Sequence, residues 1–417
     1  MKTAKNLFPQ IDAFENLYLA AQKAAKGKRE QPNVMTFFMK LEDNLWQLQD
    51  ELANGSYLPG NYRTFQIYDP KPRMISAAPF RDRVVHHALM NIAQPILERG
   101  FIFDTYANRT GKGTHKAIRR YQHFLRQYKF VLKCDIQKYF PTIDHEILKQ
   151  LFRRCIFDKK TLWLMDTVVD NSNPQIEVFE HFSGDDLFTP LQRRRGLPIG
   201  NLTSQIFANF YLSPFDHFVK EVLQCSSFLR YVDDFALFSN SKAILWKWLE
   251  RITLFLEHYR LKLNSNRCEV YPAETGRHFL GQIVFIATRK LPGANIRAFR
   301  KQLRRWRKNT PENIQQRIAS WLGHVKQADT KGLLKVLLKA YHKVAFHGPL
   351  TQKRSKMQLK FALQVTSARS FSSPPQRHRR ASEPDNSHWP LSQFLNLCCH
   401  PRQPHICQPA VHHPTIS

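Results

Sequence analysis

Residues 228–238 read FLRYVDDFALF, an apolar run with two adjacent carboxylates, Asp233 and Asp234, near its middle. Apolar β-forming residues flank the pair on both sides, which predicts a hairpin with its turn at residues 232–234. Asp is common at such turns, because it tolerates unusual backbone dihedrals. Carboxylates inside an apolar run are costly, however, unless positive charge compensates them. The stretch therefore indicates either an ordinary turn or a site that binds cations.

A third carboxylate, Asp135, follows a second predicted strand that begins at Phe130. Two strands that end in carboxylates can meet at one edge of a sheet, where three acids repel one another unless cations are bound. Hard oxygen ligands suit Mg²⁺ or Mn²⁺. Two such ions can activate a 3′-hydroxyl and stabilise a leaving pyrophosphate. The residues alone thus predict metal-assisted nucleotidyl transfer on a nucleic acid.

The charge balance of the chain agrees with a nucleic-acid partner. The 417 residues carry a formal net charge of +30, which favours a polyanion, nucleic acid first and an acidic membrane second. Seven scattered cysteines show no disulfide framework, which predicts a reducing, intracellular setting. We find no signal peptide and no apolar run of about 18 residues, so we expect a cytoplasmic protein without a membrane span.

The order of predicted elements indicates an α+β fold, because strands and helices are mixed without regular alternation. Residues 1–60 read as a helical extension, with one helix over residues 34–54 that ends at Asn54-Gly55. A long apolar helix is predicted after the GLPIG turn at residues 196–200. Residues 289–346 read as basic helices. Residues 347–417 are rich in Pro, Ser and His and are predicted to be disordered. The CCHPRQPHIC segment within them fits no zinc-finger spacing well.

The YVDD of residues 231–234, together with DIQKYF at 135–140, resembles the reverse transcriptases. Further blocks of that family follow in the same order along the chain: KPRMISAAPFRDRVVHHAL, YANRTGKGTHKAI, GLPIGNLTSQIFANFYL, LKLNSNRCEVYP and HFLGQIVF. The resemblance implies a right-hand polymerase fold. Residues 61–288 would form the fingers and a palm of antiparallel sheet with helices, and residues 289–346 a helical thumb.

A narrower resemblance is carried by IGNLTSQ, by GDDLFTPLQRRRGLP just before it, and by FENLYLAAQKAAKGKR near the N-terminus. These strings are similar to reverse transcriptases of diversity-generating retroelements. Such bacterial and phage enzymes copy a template-repeat RNA into cDNA with errors at adenines, and they work with a small basic helical accessory protein that forms an oligomer. Two alternatives stay open: another bacterial lineage (retron, group II intron or phage defence) and a catalytically silent RNA-binding scaffold.

The resemblance also assigns site residues. Asp135, Asp233 and Asp234 would be the catalytic ligands of two Mg²⁺ ions, which Mn²⁺ can replace, with the backbone carbonyl of Ile136 as a further ligand. Phe140 would exclude a 2′-hydroxyl from the nucleotide sugar; the plainer alternative is a core aromatic. The deoxynucleoside triphosphate would be bound by Lys71, Arg73, Tyr139, Phe140, Ile199, Gly200 and Arg267.

Two of these positions depart from the family pattern. Ile199 stands where many relatives have Gln, and it cannot make the hydrogen bonds of an amide, which predicts looser control of fidelity. Arg267 stands where the family often has a Lys proposed to protonate pyrophosphate, and Arg is a poor acid. A primer grip is predicted at Phe279, Leu280 and Gly281. Contacts to the template RNA and the RNA–cDNA duplex are predicted at Arg109, Lys112, Arg304, Arg305, Lys335 and Lys339, where a solvated surface charge is the alternative.

Overall fold

The structure is a computed structural model that describes residues 4–68, 72–172, 178–309, 311, 314–330 and 332–334. All of them belong to the first of two units of the chain, Met1–Gly348. The predictions for Lys71, Lys335, Lys339 and the tail 347–417 lie outside the described residues. No described helix is long and apolar enough to cross a membrane.

Four helices precede the first strand: α1 Phe8–Ile11, α2 Phe14–Ala25, α3 Pro32–Met39 and α4 Leu41–Asn54. The last ends as predicted, because Gly55 takes the left-handed conformation that closes a helix (φ 70°). The prediction of one helix through residues 34–54 is wrong, since the chain breaks at Lys40. The side-chain amide of Asn44 donates to the carbonyl of Phe37 (2.9 Å), which satisfies one of the carbonyls that end α3.

A two-stranded antiparallel ribbon and a long helix follow. Strands β1 Arg63–Tyr68 and β2 Pro72–Ala77 pair in register, and α5 Phe80–Glu98 comes next. The buried carboxylate of Asp82 at the start of α5 accepts hydrogen bonds from the Tyr57 hydroxyl (2.9 Å) and the Gly60 amide (2.8 Å). Because α5 packs against α2 in a common core, the N-terminal helices are integral to this part of the fold.

The sheet that carries the carboxylates has four antiparallel strands in the spatial order β4-β5-β3-β6. Their bounds are β3 Phe130–Asp135, β4 Phe228–Tyr231, β5 Asp234–Ser239 and β6 Glu269–Pro272. Side chains alternate between the two faces, so that Leu132 joins the main core while Val131 packs with the helix α6 Thr114–Leu125 on the other side. Helices combined with antiparallel sheet confirm the α+β prediction at this coarse level.

The remaining described elements connect and extend this sheet. A long helix was predicted after the GLPIG turn, but the chain breaks at Leu212 because Pro214 has no amide hydrogen with which to continue the helix. These elements are α7 Tyr139–Thr142, α8 His145–Arg153, α9 Lys159–Asp170, α10 Thr189–Gln192, α11 Leu202–Tyr211, α12 Ser213–His217, a π-helical turn Phe218–Val222, α13 Lys242–His258, a 3₁₀ turn Ser265–Arg267, β7 Arg277–Phe279, β8 Gln282–Val284, β9 Arg289–Lys290, α14 Gly293–Lys308 and α15 Ile314–Val325.

The predicted basic helices begin slightly later than expected. Residues 289–290 form the short strand β9, and helix α14 begins at Gly293. Phe299 and Leu303 face inward, and Phe299 stacks on Trp321 of α15 with ring centroids 3.6 Å apart. Arg304 and Arg305 lie on the exposed face. Helix α14 is therefore amphipathic, with basic residues on its exposed face.

Candidate active site

The turn between β4 and β5 consists of two residues, Val232 and Asp233. The partner of Tyr231 across the hairpin is Asp234, so the second carboxylate opens β5 and does not belong to the turn. Val232 has a φ of 58°, a value that a β-branched residue rarely adopts. The hairpin predicted from FLRYVDDFALF is confirmed, with a turn one residue shorter than expected.

The third carboxylate lies at the same edge of the sheet. Asp135 ends β3 directly opposite Asp234 in the β3–β5 register. Burial raises the pKa of the Asp233 carboxyl from its ordinary 3.8 to about 7, and repulsion by Asp135 and Asp234 acts in the same direction. Burial also raises the pKa of Asp234, against the opposing effect of Lys133. The register thus brings together the three acids that the sequence identified, at an energetic cost to the charged forms of Asp233 and Asp234.

Two cations partly compensate this charge. Arg267 donates from Nη1 to the Oδ2 of Asp135 at 2.9 Å, and Lys133 Nζ lies 3.7 Å from the Oδ1 of Asp234. Sequence reasoning placed Arg267 near pyrophosphate and missed Lys133. The signal for Lys133 was its spacing, since residues two apart in a strand share a face. The edge of the sheet is therefore a charged cluster of both signs.

The donor atoms at this edge fit a hard divalent cation, because carboxylate oxygens are the ligands that Mg²⁺ and Mn²⁺ prefer. In the part of the chain that the structure describes, no three His, Cys, Asp or Glu side chains are grouped so that they could hold a metal ion. The Asp135 carboxylate accepts a hydrogen bond from Arg267. The Ile136 carbonyl takes no part in the bridge to Leu263, whose hydrogen bonds use the Asp135 carbonyl and the Gln137 amide.

The raised pKa of Asp233 predicts a pH-dependent loss of stability in the absence of divalent cations. Between about pH 4 and 7 the Asp233 carboxyl of the folded state retains a proton that the unfolded state has released, so the contribution of Asp233 to stability falls as the pH rises through this window and is constant above it. In EDTA we expect the Tm of Asp233→Asn to exceed that of the unmodified chain above pH 7. The two Tm values should converge as the pH approaches 4. A Tm difference that does not vary with pH would contradict the raised pKa.

Tyr139 and Phe140 follow β3 after a left-handed residue, Lys138 (φ 45°). Tyr139 is only 2% exposed, and its hydroxyl donates to the Ala208 carbonyl, so the predicted nucleotide contact of Tyr139 does not agree with its position in the core. Phe140 is half-buried, and its carbonyl accepts from the Leu197 amide at 2.9 Å. Of the two aromatic residues, Phe140 is the more exposed.

The block that follows Leu197 packs on β2. The Ile199 carbonyl accepts from the Ser76 amide at 3.0 Å. Gly200 has a φ of 126°, and a Cβ there would lie 2.9 Å from the Ile75 methyl and 3.2 Å from the Ser76 carbonyl. The close approach that requires glycine is therefore to β2, to the side chain of Ile75 and the backbone of Ser76. Arg73, also in β2, is exposed.

Of the three predicted primer-grip residues, two lie at the tip of a hairpin and one is buried. Leu280 (φ 46°) and Gly281 (φ 82°) form the two-residue tip of the β7–β8 hairpin. Phe279, the third residue of the predicted primer grip, is buried and stacks on Tyr121 with ring centroids 4.3 Å apart.

Two basic residues predicted to contact nucleic acid are occupied within the protein. The guanidinium of Arg109 donates to the carbonyls of Ile102 (2.8 Å) and Thr105 (3.0 Å). Lys112 donates to the Phe103 carbonyl at 2.7 Å and lies over the Phe103 ring. Arg304 and Arg305 are the members of the predicted set that the structure leaves exposed among its described residues.

Comparison with known proteins agrees with this geometry. Residues 68–284, just over half of the chain, match the family described as reverse transcriptase (RNA-dependent DNA polymerase). The chain is 28% identical to the protein YkfC of Escherichia coli K12 over 44% of this chain and 47% of YkfC. It is 24% identical to the group II intron-encoded protein LtrA of Lactococcus lactis over 50% of this chain and 33% of LtrA. The chain thus spans less than half the length of these relatives.

Among solved structures, the apo telomerase of Candida tropicalis is similar at a TM-score of 0.46 and 12% identity. The similar region covers 74% of this chain and 62% of that one.

Proposed function

Because the chain belongs to the reverse transcriptase (RNA-dependent DNA polymerase) family, we propose that it copies an RNA template into DNA from deoxynucleoside triphosphates. The observation that carries the proposal is the β3–β5 register, which places Asp135 opposite Asp234 and beside the turn residue Asp233. A polymerase needs such a cluster of acids to bind metal ions. In a protein without that activity the cluster would only destabilise the fold.

In this proposal the carboxylates of Asp135, Asp233 and Asp234 hold two Mg²⁺ ions, or Mn²⁺ in their place, with the Ile136 carbonyl as an additional ligand. When bound, the ions would supply activation of the primer 3′-hydroxyl and stabilisation of the pyrophosphate. Arg267 would exchange its contact with Asp135 for phosphate oxygens, because a guanidinium matches phosphate geometry without having to lose a proton.

The elements next to the carboxylates would position the nucleotide and the primer. Arg73 on β2, with Lys71 beside it in sequence, would neutralise the triphosphate. Phe140 would lie against the nucleotide sugar, and the Ile199-Gly200 segment against the nascent base pair. The Leu280-Gly281 tip would support the primer. In a right-hand arrangement of fingers, palm and thumb, the exposed arginines of α14 would contact the duplex backbone.

We further propose the diversity-generating type, in which a template-repeat RNA is copied with errors at adenines for targeted diversification. The IGNLTSQ string supports it, and this type implies a small basic helical accessory oligomer as partner. The second candidate is a reverse transcriptase of the group II intron type, favoured by the similarity to LtrA. The neighbouring DNA distinguishes them, since a near-identical repeat pair differing at adenines belongs to the first type alone.

The fidelity proposal predicts the effect of one substitution. Ile199→Gln should reduce misincorporation opposite template adenine several-fold, because the amide can hydrogen-bond the nucleotide and so penalise a misplaced pair. The measurement is the ratio of wrong to right nucleotide incorporated on an RNA template, with Ile199→Leu as the control that adds no hydrogen bond. If Ile199→Gln and Ile199→Leu changed this misincorporation ratio by the same amount, the proposal would be contradicted.

The test of the basic activity is extension of a DNA primer on an RNA template with Mg²⁺. We expect incorporation of the complementary deoxynucleotide, and none after EDTA is added. A chain that binds the duplex without extending it, under conditions where it is folded, would favour the RNA-binding scaffold.

A further inference from the structure

Arg230, two residues before the turn, is completely buried and has all five of its N–H groups occupied. Its Nε and Nη2 donate to the two oxygens of Asp216, both at 2.6 Å. Its Nη1 donates to the Asn209 side-chain oxygen (3.0 Å) and to the Val232 carbonyl (2.9 Å), and Nη2 also donates to the Asn209 carbonyl (3.1 Å). No donor of this buried cation is left unsatisfied.

A buried ion pair of this kind is not explained by stability alone. Removing two charges from water is costly, and well-packed apolar residues often stabilise a fold as much or more. A fully satisfied polar network in a core instead specifies one arrangement of the groups that it joins. The arrangement specified here includes the turn that carries Asp233.

The contact to Val232 is the informative one. Val232 occupies the left-handed region at φ 58°, where a β-branched side chain is strained and persists only when its surroundings hold it. The carbonyl held by Arg230 belongs to the peptide that joins Val232 to Asp233. Fixing the plane of this peptide fixes the positions of the Asp233 amide and Cα, and so limits where the Asp233 side chain can point.

The same network reaches the elements around the nucleotide block. Asn209 lies in α11, the helix that begins two residues after Gly200, and its side-chain amide donates to the Ala107 carbonyl at 3.1 Å. The Thr105 hydroxyl donates to Asp216 at 3.0 Å. The catalytic turn is therefore tied to α11 and to the 104–107 segment through one guanidinium.

We propose that Arg230 is a positioning residue that holds the Val232–Asp233 peptide, and hence the Asp233 carboxylate, in its working orientation opposite Asp135. The inference rests on the proposed polymerase function of this site. Arg230 acts through the Val232 carbonyl and touches neither substrate nor the reacting atoms.

The first test is Arg230→Lys, which keeps the charge but cannot make the forked contacts. We expect kcat for single-nucleotide extension to fall about 100-fold, the effect of misplacing a catalytic group by about 1 Å, with KM for the nucleotide changed less than about threefold. Arg153→Lys is the matched control, because Arg153 makes a forked pair with Asp166 that joins α8 to α9 (3.3 and 2.5 Å). The control should retain its full rate.

A second substitution separates positioning from folding. Gly adopts a positive φ without strain, so Val232→Gly in the Arg230→Lys background should restore the rate about tenfold. Should Arg230→Lys fail to fold, Arg230→Met/Asp216→Leu removes both charges together and should fold while showing the same loss of kcat. The proposal would be overturned if a variant lacking Arg230 kept the original kcat. It would also be overturned if Val232→Gly did not restore the kcat lost in Arg230→Lys.

A readout independent of activity distinguishes failure of this inference from failure of the proposed function. Hydrogen exchange of the amides in residues 228–238 should be faster in Arg230→Lys than in the unmodified chain, whether or not the chain extends a primer. An unmodified chain without polymerase activity would contradict the proposed function. Unchanged exchange across the turn would contradict the role of Arg230.

Discussion

Replacing Asp233 by Asn should reduce extension of a primer on an RNA template by about 10³-fold or more. Asn has nearly the shape of Asp, so it retains the turn and removes one negative charge. Loss of that charge weakens the proposed binding of Mg²⁺ at the strand ends where Asp135 and Asp234 lie opposite each other. The measurement is single-nucleotide incorporation at saturating Mg²⁺.

The control for this substitution is Asp43→Asn, which removes an exposed carboxylate from the first turn of α4. It should extend the primer at the original rate. The Tm of Asp233→Asn in EDTA should not fall below that of the unmodified chain, because the substitution removes a partly buried charge that destabilises the folded state. Full activity of Asp233→Asn would remove Asp233 from the catalytic set.

Replacing Phe140 by Ala should relax discrimination against ribonucleotides by about 100-fold. The half-buried ring lies just after the left-handed turn that ends β3, and its backbone is hydrogen-bonded to Leu197, at the start of the nucleotide block. A ring held there would block a 2′-hydroxyl, and a methyl group would leave room for it. The measurement is the ratio of kcat/KM for a deoxynucleotide to that for the matching ribonucleotide.

The matched control is Phe157→Ala, which removes an aromatic ring that is 59% exposed and lies between α8 and α9. It should leave sugar discrimination unchanged. If Phe140→Ala retains the original ratio while deoxynucleotide incorporation continues, the ring is a core aromatic and does not exclude the 2′-hydroxyl.

The carboxylate cluster could be predicted from the sequence because its signals are local. Apolar residues on both sides of Asp233 define the hairpin, and Asp135 stands at the end of an apolar β-forming run. Once two strands pair antiparallel, the register alone brings their ends together. The predicted catalytic residues could therefore be named from local signals, although their juxtaposition depends on the pairing of β3 with β5.

Other features depend on contacts between distant parts of the chain. The break at Lys40 has no Gly or Pro to mark it and depends on packing. The break before Pro214 did have a signal, which the apolar pattern of the helix concealed. Tyr139 and Phe140 are adjacent and both aromatic, and only the position of Ala208 shows which of them is internal.

The hydrogen bonds of Arg230 could not be predicted from the sequence either, although Arg230 lies within the correctly predicted hairpin. FLRYVDDFALF contains Arg230, but its partners Asn209 and Asp216 lie on two separate helices. Arg267 likewise reaches Asp135 across 132 positions of sequence. No periodicity predicts such pairs, because side-chain networks form only after the backbone elements are in place.

The central claim is that carboxylates from two different strands form one RNA-directed DNA polymerase site. The most direct test compares the unmodified chain with Asp135→Asn, the member of the cluster that lies outside the YVDD hairpin, in primer extension on an RNA template with Mg²⁺. We predict that the unmodified chain extends the primer and that Asp135→Asn, although folded, does not exceed the background in EDTA. Equal extension by both proteins, or none by the folded unmodified chain, would contradict the claim.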